Sequence, residues 1–165
     1  MLHCAIICAA LLSSAAACAA EPVGCDKFKW PLDRERALLA TPAAVKSGDT
    51  LVTLPANAIG IALVPFAAAR LPLPPQHPPK AAQSYAGFVR IDAPPKAGVY
   101  RVTLAEAAWV DVVQDGREVA AKAFSSALGC SGVRKSVKFE FDNEPLTIQV
   151  SGTTAHRVTL VVTPD

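Results

Sequence analysis

Cys25 and Cys130, far apart in the chain, constrain its fold more than any other feature. The other three cysteines, Cys4, Cys8 and Cys18, fall in an apolar, Ala-rich leader. A leader followed by an even pair of cysteines predicts export to an oxidising compartment and a single disulfide. That bond ties the start of the mature chain to a segment near its end. Gly129 and Gly132 flank Cys130 and suit a tight turn that presents it.

Residues 5–12 read as a short h-region, well below the ~20 apolar residues that span a bilayer. Small residues fill positions 13–20, and Glu21-Pro22 opens the polar chain. Signal-peptide cleavage is therefore expected after Ala20, giving a periplasmic or secreted protein. The n-region holds His3 and no Lys or Arg. Ala15-Ala16-Ala17-Cys18 also approximates a lipobox without its usual Leu, so a lipid anchor at Cys18 is the alternative. The most apolar run beyond the leader, residues 59–69, contains Pro65 and ends at Arg70, too short for a transmembrane segment. The formal net charge is +2 with no basic run, which argues against nucleic acid as a partner.

Residues 21–50 read as an N-terminal arm carrying Cys25, Phe28 and Trp30. Within it, Asp33 is placed to cap a short helix over residues 34–39, and Pro42 stops it. Residues 51–165 read as one β-domain. Strands are expected over residues 51–54, 58–65, 86–92, 99–105, 108–114, 117–124, 133–141, 146–150 and 158–162. The alternation is clearest in residues 133–141, where Val133, Val137, Phe139 and Phe141 face one way. Arg134, Ser136, Lys138 and Glu140 face the other, and Lys135 is an exception near the strand start, where it can reach water. Asp115-Gly116 is a strong hairpin signal. The five prolines of residues 71–79 favour an extended polyproline II connection over the surface. Short strands with regular turns predict an all-β, antiparallel β-sandwich with a short N-terminal arm and helix. Period-2 alternation predicts one dry and one wet face for each sheet.

Two resemblances add to this. Gly98-Val99-Tyr100-Arg101-Val102, and the later segments 146–152 and 156–162, resemble bacterial pre-peptidase C-terminal (PPC) domains, which implies a jelly-roll-like sandwich, sometimes with calcium or glycan contacts. The mature chain is also similar to a group of short exported proteobacterial proteins of unknown function, some labelled homogentisate 1,2-dioxygenase. Residues 25–31, 108–116, Gly129-Cys130 and 134–137 carry that similarity. The label implies an iron enzyme, yet the mature chain has only His77 and His156, at no ligand-pair spacing.

Chemistry is sparse in the rest of the chain. Cys130 activated by His156 would make a hydrolase, but a structural disulfide is the preferred reading. Gly129-Cys130-Ser131-Gly132 is not a nucleophile elbow. Asp111, Asp115, Asp142, Asn143 and Glu144 offer oxygens to calcium, though acidic residues at hairpins are usually turn formers. Trp109 and Asp111 share one strand face. On an open face they would stack a sugar ring and bond its hydroxyls. The preferred reading buries Trp109 in the core with Asp111 at the rim. Together these features lead to the expectation of a non-catalytic exported module without a cofactor, binding an envelope glycan or an envelope protein. An enzyme (a metal-dependent dioxygenase or a Cys/His hydrolase) and a purely structural envelope subunit are the alternatives.

Overall fold

The computed structural model describes residues 20–93 and 96–165. The leader, with the possible anchor at Cys18, lies outside the described residues. Among the described residues no helix is long and apolar enough to cross a membrane.

The chain forms an all-β sandwich of two sheets with one short helix. The strands are β1 (Ala43–Lys46), β2 (Thr50–Leu51), β3 (Ile59–Ala62), β4 (Val64–Pro65), β5 (Tyr85–Ile91) and β6 (Gly98–Leu104). There follow β7 (Trp109–Gln114), β8 (Arg117–Val119), β9 (Ala121–Ser126), β10 (Lys135–Phe141), β11 (Leu146–Thr153) and β12 (Arg157–Pro164). The first sheet runs β1-β3-β12-β6-β10-β9, and the second β2-β5-β11-β7-β8 with β4 also on β5. Pairing is antiparallel except at two places, where β1 meets β3 and β2 meets β5 in parallel. The reason is the path of the chain. It leaves β1, visits the second sheet at β2, and returns to the first at β3, the kind of crossover that parallel neighbours require. Residues 43–46, expected in the arm, are thus an edge strand.

The inner faces form the main core. Val102 and Leu104 of β6 meet Val112, Ile148, Phe141 and Leu160 there, all fully buried. Phe139 lies 2% exposed in the same cluster, as the alternation in β10 predicts. At the β7–β8 hairpin, Asp115 and Gly116 take φ of 49° and 68°, the left-handed pair that a two-residue turn matched to strand twist requires.

The outer faces are not wet. Thr103, Ser136, Thr159 and Thr163 of the first sheet are buried, as are Asp111, Gln149 and Ser151 of the second. Each sheet carries a cover. Over the first lies the N-terminal arm with helix α1 (Asp33–Leu39), whose Leu32 and Leu39 pack on Val133 and Val161. Leu32, not Asp33, occupies the N-cap position, and no side chain caps the helix. Asp33 and Glu35 instead lie in the first turn, where the helix dipole favours negative charge. Small hydroxyls let the covered face stay polar. Thr103 Oγ1 bonds Ser136 Oγ at 3.0 Å, and Thr163 Oγ1 donates to Glu35 Oε1 at 2.7 Å. Trp30 Nε1 also donates to Ser136 Oγ, at 3.2 Å.

A disulfide joins Cys25 to Cys130, with the Cα atoms 4.7 Å apart. The arm is laced to the same region by Gly24 N–H to Leu128 O and by Leu128 N–H to Pro22 O, both 2.8 Å. Gly129 and Gly132 have φ of 68° and 79°, so the turn that presents Cys130 depends on glycine at both ends.

Candidate functional site

The site begins with the β7–β8 hairpin. Its register turns Val110 and Val112 into the core, so Trp109 and Asp111 face outward. The proline-rich residues 71–79 then cross this outer face as a strap. Gln149 of β11 anchors it in both directions, accepting from Leu73 N–H at 3.4 Å and donating through Nε2 to Leu73 O at 3.1 Å.

Asp111 is sealed beneath the strap and is 5% exposed. Gln149 Nε2 lies 3.4 Å from its Oδ2, and the nearby Gln76 backbone also favours its charged form. Burial nevertheless dominates and pushes its carboxyl above the ordinary carboxylate range. Trp109 is 41% exposed. His77 of the strap stacks on its indole with ring centroids 3.7 Å apart. Gly152 backs the indole closely: a Cβ there would lie 2.7 Å from Trp109 Cδ1. Gly152 sits inside β11 at a register shift, with φ of 65°, beyond the strand end expected at residue 150. These placements reverse the preferred reading of the strand. Trp109 is at the rim and Asp111 is buried, because the strap covers the middle of β7 and leaves its first residue open.

Lys135 completes the rim. It is half-buried at the cleft. Its Nζ donates to Ala108 O at 3.2 Å and lies 4.0 Å above the Trp109 ring. Burial, followed by the neighbouring Arg134 charge, lowers its pKa. Arg134 itself is engaged: its Nη1 and Nη2 fork onto Glu21 Oε1 and Oε2 at 2.6 and 2.7 Å. The Glu21 carboxyl is held below its ordinary range by that fork. Phe124 of the end strand β9 is 59% exposed. It stands opposite Val137, so it points toward the inner side of a sheet that has run past its partner. Trp109, Phe124, Lys135, Arg134, Glu21 and His77 line one cleft of about 550 Å³ where the two sheets part.

Of the calcium candidates, Asp115, Asp142, Asn143 and Glu144 line one open cleft, and Asp111 lies apart from it. Among the described residues no group of three or more His, Cys, Asp or Glu is arranged to hold a metal ion. Asp115 is paired with Arg117 at 2.8 Å, and Asp111 is turned toward Gln149. An iron site fits no better, since His77 stacks on Trp109 and His156 lies tilted against Tyr85, with ring centroids 4.2 Å apart. Nor does a thiol nucleophile survive, because Cys130 is bonded to Cys25.

No family model matches this chain, and neither a curated protein nor a solved structure is significantly similar to it.

Proposed function

We propose that this chain is an exported, non-catalytic binding module that takes an envelope glycan into the cleft between Trp109 and Phe124. One observation carries the reading: the open Phe124 ring, 59% accessible, and Trp109, 41% accessible with His77 and Lys135 already on its ring, wall the same cleft as the polar groups of Lys135, Arg134 and Ser126. Aromatic faces take the apolar side of a sugar ring, and a few converging polar groups fix its hydroxyls. A purely structural subunit has no use for such a pair in the open. Export follows from the leader and the disulfide.

A second reading is an extended segment of an envelope protein added to β9. It is favoured by the position of β9 at the end of its sheet, beside the cleft.

Equilibrium binding to a panel of neutral and acidic envelope polysaccharides tests the first reading. Phe124→Ala and Trp109→Ala should each weaken binding at least about tenfold, the scale of one lost aromatic contact. Absence of binding across the panel, or binding untouched by both changes, rejects it.

A further inference from the structure

Among the described residues the cleft holds one cation with no contact ion pair, although Glu21 and Asp111 act on it from farther off. Arg134 is neutralised by the Glu21 fork, and Asp111 is turned under the strap toward Gln149 and Gln76. Lys135 differs. Among the described residues its ammonium has no carboxylate at ion-pair distance and makes one hydrogen bond, to Ala108 O. An ammonium has three N–H donors, so two remain at the cleft. The Trp109 face 4.0 Å away favours a cation there, but it supplies no acceptor.

We infer that the ring taken by this cleft carries a carboxylate, as in a uronic acid, and that Lys135 receives it. This rests on the glycan reading and names its chemical class. A carboxylate oxygen gives half-buried Lys135 a charge-assisted bond, stronger than a bond between neutral groups. It also restores the charged form that burial disfavours. A neutral sugar leaves the ammonium as it is. A phosphate group suits the site less well. It carries more than one charge and is typically met by several arginines or a nest of backbone N–H groups, whereas here the one arginine is already paired.

Calorimetric titration of the wild-type chain with trigalacturonate and with its methyl ester tests this, since the ester removes the charge and adds only one methyl group to each ring. The acid should bind at least about tenfold more tightly. Lys135→Gln should bring the two affinities together, and Lys135→Arg should keep most of the preference. Thermal melts of both variants check that the fold is intact, and the wild-type comparison of acid with ester does not depend on them. Equal binding of acid and ester overturns the role of Lys135 while leaving the glycan reading in place. A preference that survives Lys135→Gln also overturns it and moves the contact to Arg134. If neither ligand binds but a neutral polysaccharide does, in a Phe124-dependent way, the carboxylate alone fails. If no saccharide binds, both readings fall.

Discussion

The two sheets of this sandwich are both covered on their outer faces, and the covers are built on different physics. Over the first sheet the arm sinks Leu32 and Leu39 into a second apolar cluster, buries Glu35 against Thr163, and is closed by a covalent bond at Cys25–Cys130. Over the second sheet no residue of the strap at 71–79 is buried. It is held by the paired Leu73–Gln149 bonds and the stack of His77 on Trp109. Apolar burial and a disulfide make a permanent layer, whereas a few polar contacts at a rim make a layer that can shift without disturbing the core. The cleft lies beside the second kind.

The widest separation between the covers should appear when the disulfide is removed. Cys25→Ala with Cys130→Ala should lower stability by about 2–5 kcal/mol, the usual loss for a native disulfide in a small secreted domain. Urea denaturation measures it. A loss below about 1 kcal/mol would mean that Leu32 and Leu39 hold the arm without covalent help.

Changes on the other side should cost less. Trp109→Ala removes a half-exposed ring and its stack, and His77→Ala removes the partner. Each should lower stability by about 1 kcal/mol, the scale of one aromatic pair. Each should also speed proteolytic cutting within residues 71–79, leaving the arm over residues 21–42 uncut; the two fragments stay joined through Cys25–Cys130 until it is reduced. Losses as large as those at the disulfide would show that the strap is as much part of the core as the arm is, and the distinction would fall.

The sequence makes the strands legible and the covers much less so. Tyr100, Val102 and Leu104 alternate with Arg101 and Thr103, and the first three are buried as that pattern requires. Asp115-Gly116 and the pair Cys25 and Cys130 could be read because each depends on short-range chemistry or on simple pairing. Alternation, however, separates polar from apolar and not wet from dry. Thr103, Ser136, Thr159 and Thr163 look like a solvent face, but small hydroxyls can be buried when they bond one another or Glu35. The parallel strands β1 and β2 are edge pieces of four and two residues, too short to show a period. Trp109 and Asp111 could be placed on one face, but which of them is open depends on the strap. Lys135 and Phe124 join them only because β9 and β10 of the first sheet end beside β7 of the second, a fact of topology with no local signature.

The smallest expected effect is the most specific to the strap. The Asp111 carboxyl is raised above its ordinary value near 3.8, chiefly by burial. Folding therefore favours its neutral form. Its contribution to stability is full below that ordinary value and is lost as pH rises through the raised value of the folded state. Glu21 has the opposite sign: Arg134 holds its carboxyl down, so its contribution is present above its ordinary value near 4.5 and fades as pH falls through the lowered one. Asp111→Asn keeps an acceptor oxygen for Gln149 Nε2 while removing the charge. The variant should be slightly more stable than wild type at neutral pH, and the difference should shrink to nothing as the acid side of about pH 4 is reached. Urea midpoints of both proteins across that range provide the check. A variant less stable at neutral pH would mean that the ionised carboxylate itself holds the strap. The second cover would then be an electrostatic clasp, sensitive to salt, and not a layer kept in place by neutral hydrogen bonds and one aromatic stack.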